Sequence, residues 1–122
     1  MSTTTFEEAF DPTGALARVD GDEELLRDLA AVLRDDWLRG REAIAAALLR
    51  HDAPSVAAAA HGLRGSFAQV SGGSAVAGIA QLEREAAAGD LSAATATWCE
   101  LAPVLADYVA GHERWAEARE AI

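Results

Sequence analysis

Residues 55–70 read Ser55-Val56-Ala57-Ala58-Ala59-Ala60-His61-Gly62-Leu63-Arg64-Gly65-Ser66-Phe67-Ala68-Gln69-Val70. Val56, Ala60, Leu63, Phe67 and Val70 recur at i, i+4, i+7, i+11 and i+14, so they form one narrow apolar stripe and predict a helix from Pro54 or Ser55 to about Val70. His61 falls roughly 140° from the middle of that stripe, at about 100° per residue, and so points to water. Ala57, Ala58, Gly65 and Ala68 share this outer face, and none is large enough to shield an imidazole or to keep another protein away from it. Arg64 follows one turn on, about 60° round from His61, where its planar fork can hold an anion attached to the ring. Gly62 and Gly65 each cost a helix interior roughly 1 kcal/mol relative to Ala. Two such residues around one histidine indicate that close approach matters there more than local stability. The plain alternative is an ordinary surface histidine on an Ala-rich helix. A core histidine is disfavoured, because the stripe is complete without it.

The rest of the composition agrees with an all-α chain. A length of 122 residues suits one domain with one core. Hydrophobic residues make up 51% and aromatics only 6%, and the excess is mostly Ala, the best helix former. No stretch alternates with period two, which argues against a sheet. The net charge of −10 makes nucleic acid and anionic membranes poor partners, since both are bound by basic surfaces. No apolar run approaches the roughly 20 residues of a spanning helix, and Met1-Ser2-Thr3-Thr4-Thr5-Phe6-Glu7-Glu8 has no signal-peptide character, so a cytoplasmic location is expected. The lone Cys99 has no disulfide partner and no metal-ligand spacing, and reads as a small buried residue of the last helix.

Residues 1–9 are polar, Thr-rich and aperiodic, which predicts a flexible N-terminal tail ahead of one folded domain over residues 10–122. Asp11-Pro12 reads as an N-cap with Pro at the first helical position, giving a short helix to about Val19 that Asp20-Gly21 stops. A second helix begins at Asp22 and presents Leu25, Leu29, Val32, Leu33 and Trp37, ending near Asp35. Trp37, Arg41, Ile44 and Leu48 predict a further helix before His51-Asp52-Ala53-Pro54 breaks the pattern. His51 falls at that helix's C-terminus, where the dipole favours a cation, and reads as a cap and not as a functional residue. After the His61 helix, Ser71-Gly72-Gly73 turns the chain. Ser74 can cap a helix carrying Val76, Ile79, Leu82 and Ala86, with Glu83 at the edge of its stripe, and Gly89-Asp90 ends it. A last helix from Leu91 puts Trp98, Leu101, Leu105, Tyr108 or Val109, and His112 in register, with a kink or restart expected at Pro103. His112 and Trp115 read as packing and surface features. Such helices, joined by short turns, pack most simply as an antiparallel four-helix up-down-up-down bundle, with the short N-terminal helix capping one end.

The run Ala60-His61-Gly62-Leu63-Arg64-Gly65-Ser66 resembles the signature of histidine-containing phosphotransfer (HPt) domains, usually A-H-x-L-K-G-S, followed by a small-residue turn and a helix carrying L-E. Ser71-Gly72-Gly73 stands at the turn and Leu82-Glu83 at the pair. Upstream, Phe10-Asp11-Pro12, Ala15-Leu16 and Gly21-Asp22-Glu23-Glu24-Leu25-Leu26 are similar to the family's opening, so the likeness covers roughly residues 10 to 110. The chain departs from the pattern in three places. Arg64 replaces the usual Lys, in a chain whose basic residues are all Arg. Gly62 stands where a longer polar residue is common. Ser71 replaces a Gly, with glycines following at 72 and 73, which shifts the expected helix end by a residue or two.

The resemblance implies a phosphoryl carrier in a multistep two-component phosphorelay. His61 would be the phosphoacceptor, Arg64 would offset the phosphoryl charge, and Gly65 would allow close approach. Glu83 would hydrogen-bond and orient the ring, the alternative for it being a solvated charge near Arg84. The implied partners are receiver domains of a hybrid histidine kinase and of a response regulator. These supply the phosphorylatable Asp and Mg²⁺, while this chain binds no cofactor and is expected to be a monomer. A largely neutral imidazole is a good nucleophile near pH 7, and phosphoryl transfer depends on in-line placement and charge neutralisation. No Gly-rich nucleotide loop lies in a strand-to-helix context, so no kinase activity of its own is expected. Receiver sites are acidic, so a chain this acidic gains no general steering. Docking is instead expected on small and apolar residues, namely Ala57, Ala58 and Ala68 with Leu16, Leu25 and Leu29. The competing reading is an adaptor of the same fold that binds receiver or kinase domains without transfer. A metal-binding catalytic bundle is disfavoured, because there is no Glu-x-x-His pair and the three histidines are far apart.

Overall fold

The computed structural model describes residues 6–120, which form five α-helices: α1 (Pro12–Arg18), α2 (Glu23–Leu49), α3 (Ala53–Ala68), α4 (Ser74–Ala87) and α5 (Leu91–Glu120). No strand occurs among the described residues, so the chain is all-α as its composition predicts. The boundaries are set by local chemistry. The first N–H groups of a helix have no partner within it. Here the carboxylates of Asp11, Asp22, Asp52 and Asp90 accept from the N–H of Thr13 (3.2 Å), Leu25 (3.0 Å), Ser55 (3.2 Å) and Ala93 (3.0 Å). Helices α1, α2 and α4 end when one residue enters the left-handed region: Asp20 (φ 56°), His51 (φ 55°) and Gly89 (φ 76°). The next N–H then reaches back, from Gly21 to Leu16 O (2.7 Å), Asp52 to Ala47 O (2.9 Å) and Asp90 to Glu85 O (2.9 Å). His51 therefore shapes a turn that glycine usually fills.

Several elements differ from the sequence reading. The helices expected over 22–35 and 37–50 are one, because no proline or competing cap stops the chain and one face stays buried through Leu26, Ala30, Leu33, Trp37, Ile44 and Ala47. Of the expected face, Leu33 and Trp37 are buried and Leu29 is half-buried, but its first turn differs. Leu26 is inside, while Leu25 and Val32 are 42% and 49% exposed. Helix α5 runs through Pro103 without restarting. Pro103 lacks the N–H that the Cys99 carbonyl would accept, but it sits on the exposed side, while Leu101 and Leu105 on either side are fully buried. Cys99 is exposed and not buried. Ser74 is the first residue of α4 and does not cap it. Its hydroxyl donates to Glu7 O (2.7 Å), and the Glu8 carboxylate takes the Ala75 N–H (2.9 Å) and the Ser71 hydroxyl (2.6 Å). Residues 6–9, expected within the tail, are thus tied to α4, and Phe6 is buried. Residues 1–5 of that expected tail lie outside the described residues.

Helix α2 packs against α3 and α5, α4 packs against the same two, and α1 rests on α2. Two of these contacts need glycine. A Cβ on Gly40 would lie 2.6 Å from Leu63 Cγ, and one on Gly78 would lie 2.7 Å from Leu101 Cδ1 and 2.8 Å from Phe6. A run of aromatic contacts joins the elements: Trp98 to Trp37 (5.9 Å), Trp37 to Phe67 (6.5 Å), Phe67 to Tyr108 (5.7 Å), Tyr108 to Phe10 (5.6 Å) and Phe10 to His112 (4.5 Å). The five stripe residues of α3, from Val56 to Val70, are all buried. His112 is fully buried too, and its Nε2 donates to Leu26 O at 2.8 Å, which ties α5 to α2.

Two stability predictions follow from this core. Gly40→Ala should destabilise the protein by about 1 kcal/mol or more in urea unfolding, because overpacking against buried Leu63 outweighs the gain in helix propensity. Burial holds the His112 imidazolium form below the ordinary histidine range, against the opposing pull of the Leu26 carbonyl and Glu113. The unfolded chain therefore binds a proton there before the folded one does. Stability should fall as pH drops below about 6.5, and comparing wild type with His112→Phe across pH 5–8 by thermal unfolding should show this component removed.

Candidate functional site

Helix α3 presents His61 because the stripe on its other side is seated in the core. Ala60 and Leu63 flank the histidine and are buried, whereas its own side chain keeps 67% of its exposure. Glu83 reaches it from α4. Leu82 and Ile79 are fully buried, which turns Glu83 to the rim of α4 facing α3 and leaves it 24% exposed. Glu83 Oε2 lies 3.0 Å from His61 Nδ1. Arg64, one turn along α3, closes the group. Its Nη2 is 3.0 Å from the same Nδ1, and its Nε is 3.2 Å from Glu83 Oε1, an ion pair that lacks hydrogen-bond alignment. His61, Arg64 and Glu83, named separately from the sequence, are thus brought together by α3 and α4. The ring's inner nitrogen is engaged on this side, and Nε2 points away from it.

The surface on the other side of His61 is open. Ala58, Gly62 and Gly65 are exposed, while Ala57 and Ala68 are half-buried on the side toward Arg64 and Glu83. A Cβ added at Gly62 or Gly65 would meet nothing within 4 Å, so no internal contact requires either glycine. Among the residues expected to dock a partner, Leu29 is half-buried at the seam between α2 and α3, beside exposed Val32. Leu25 stands exposed in the first turn of α2, and Leu16 is half-buried at the edge of the core.

Two supports of the site escaped the sequence reading. Ser66 Oγ lies 2.7 Å from Asp36 Oδ2 and 3.2 Å from Gly62 O, and its single proton goes to the carboxylate, which joins α3 to α2 beside the histidine. Asp36 is also paired with Arg39 at 2.6 Å. Arg18 donates through Nε (3.2 Å) and Nη2 (2.7 Å) to Ala68 O, so α1 caps the end of α3. Partners 30 and 50 residues apart leave no periodic trace in a sequence. Among the described residues, no group of three or more His, Cys, Asp or Glu converges to hold a metal ion, and no helix is long and apolar enough to cross a membrane. The chain matches no family model, no curated protein and no solved structure.

If the two open glycines serve only an incoming molecule, replacing them should stabilise the isolated protein. Gly62→Ala and Gly65→Ala should each add about 0.5–1 kcal/mol through helix propensity, read from urea midpoints at unchanged m-value.

Proposed function

We propose that this protein is a histidine phosphotransfer carrier of the HPt kind, in which His61 takes a phosphoryl group from one receiver-domain aspartate and passes it to another. The observation that carries this reading is the pairing of restraint and access at one ring. Nδ1 is held 3.0 Å from Glu83, while two-thirds of the side chain stays open to solvent. A ring donating its Nδ1 proton to a carboxylate keeps the lone pair on Nε2, the nitrogen that faces outward. In the transfer, that lone pair forms the N–P bond as the acyl-phosphate O–P bond breaks, and the aspartate leaves as a carboxylate. The ring gains positive charge, which Glu83 offsets, and the Arg64 guanidinium, which rests on the Nδ1 side at 3.0 Å, would swing round the ring to offset the phosphoryl oxygens. The receiver contributes its aspartate and Mg²⁺.

The packing of α2 on α3 and α5, and of α4 on the same two, is what an antiparallel up-down-up-down bundle of four helices would give, and we assign that topology, with α1 as the extra N-terminal helix. The chain would work as a cytoplasmic monomer. The open strip of Ala58, Gly62 and Gly65, with exposed Val32 and half-buried Leu29 of α2 beside it, would take the receiver.

Incubating the chain with a phosphorylated receiver, or with phosphoramidate as a small donor, should yield an acid-labile, alkali-stable adduct on wild type. His61→Gln should lose the adduct entirely while its unfolding midpoint stays within about 0.5 kcal/mol of wild type. Binding of receivers without any adduct would instead make the protein an adaptor.

A further inference from the structure

Nδ1 of His61 has one valence to offer, and two neighbours want opposite things from it. Glu83 Oε2, at 3.0 Å, can only accept a proton, and Arg64 Nη2, also at 3.0 Å, can only donate one. If Nδ1 carries the ring proton, the Glu83 contact is a charge-assisted hydrogen bond and Arg64 points an N–H at another N–H. If Nδ1 is bare, Arg64 donates to it and the carboxylate faces a lone pair. Each tautomer satisfies one contact and spoils the other, and each gains one charge-assisted bond, so the two lie close in energy. They differ in reactivity. The first leaves a nucleophilic lone pair on the exposed Nε2, whereas the second puts a proton there and blocks attack.

The movable partner is Arg64. It is 39% exposed at the side chain against 24% for Glu83, and its tie to Glu83 is the loose 3.2 Å contact of Nε with Oε1. We infer that Arg64 gates the tautomer of His61, a deduction that rests on the phosphotransfer reading and adds a control to it. At rest, Arg64 holds a share of the molecules with Nδ1 bare and Nε2 protonated. A phosphoryl dianion arriving at Nε2 draws the guanidinium toward itself. Nδ1, now facing only Glu83, takes a proton from water, and Nε2 gives one to water, so the ring's proton count is unchanged. The nucleophile is completed by the charge of the group it is about to receive, and other electrophiles meet a partly blocked nitrogen. Arg64 is a positioning residue in this step.

The experiment is ¹⁵N NMR of the imidazole nitrogens on the intact chain, above the histidine titration range, with the His61 signals assigned by their loss in His61→Gln. Wild type should show both tautomers. Arg64→Ala should lower the ratio of Nδ1-bare to Nδ1-protonated ring by roughly threefold or more, the equivalent of about one net hydrogen bond, and Arg64→Lys should restore part of it. Added inorganic phosphate should shift wild type in the same direction as Arg64→Ala and leave Arg64→Ala itself unmoved. A wild-type ring wholly protonated at Nδ1, or a ratio that neither the alanine substitution nor phosphate changes, would overturn the gate. Those results would leave phosphoryl transfer standing, whereas failure of the adduct assay removes the transfer whatever the tautomer ratio.

Discussion

The rotation of α3 about its own axis determines what His61 faces, and Phe67 and Leu63 fix that rotation. Phe67 has no exposed surface and meets Trp37 at 6.5 Å and Tyr108 at 5.7 Å, while Leu63 fills the space left by the missing side chain of Gly40. Turning the helix by one residue, about 100°, would bring Phe67 toward water at a cost of roughly 1.5–3 kcal/mol for that ring alone. It would also pull Leu63 off Gly40. The exposure of His61 is thus the other side of a packing decision made within two turns of it. The same holds for Glu83, whose neighbours Ile79 and Leu82 are sunk in the core and leave it one direction in which to point. The two anchored helices then put a carboxylate and an imidazole 3.0 Å apart with no loop between them and the core.

That anchoring explains why part of the molecule could be read without coordinates. A stripe such as Val56, Ala60, Leu63, Phe67 and Val70 is periodic, and period fixes phase, so the outward direction of His61 followed directly. Caps are local as well. Asp11 and Asp22 each sit just ahead of the N–H they bind, and Asp20-Gly21 and Gly89-Asp90 carry the residues a left-handed turn tolerates. What escaped is long-range or cumulative. Helix α2 looked like two helices because Asp35, Asp36 and Gly40 are individually poor helix residues, and only the buried row from Leu26 to Ala47 shows that tertiary packing carries them. Gly40, a residue that costs a helix interior by itself, is a seat for Leu63. Glu8 is tied to residues 63 and 67 positions away, so the segment around it had the composition of a loose tail.

The glycines show how one residue type carries different meanings in one fold. At Gly40 and Gly78 a side chain would strike another helix or the N-terminal segment, and the loss in helix propensity is offset by close packing. At Gly62 and Gly65 the same test finds empty space, so the propensity loss is offset by nothing inside the molecule. Both of the latter flank His61, and both lie on its side away from Glu83. A depression lined by Gly62, Ser66, Asp36 and Arg39 opens on that side too. Beside the ring on that side α3 exposes Ala58, Gly62 and Gly65.

Charge at the site is nearly balanced, and this bears on the proposed role. Arg64 is the cation at His61, and it is already paired with Glu83 at 3.2 Å. Nearby, Asp36 neutralises Arg39 at 2.6 Å. A phosphoryl dianion on Nε2 would therefore find one guanidinium shared with a carboxylate, in a chain whose net charge is −10. A site built to store phosphate would gather several unpaired cations or helix N-termini around it. With Glu83 competing for Arg64, the proposed adduct would be held loosely, and loose holding would favour onward transfer: the smaller the stabilisation of the phosphorylated ring, the smaller the barrier to returning the group to the receiver's aspartate. Glu83 would then act on both sides of the ring's charge, holding the ring proton and offsetting the imidazolium while drawing on the guanidinium that the phosphoryl oxygens would otherwise have to themselves.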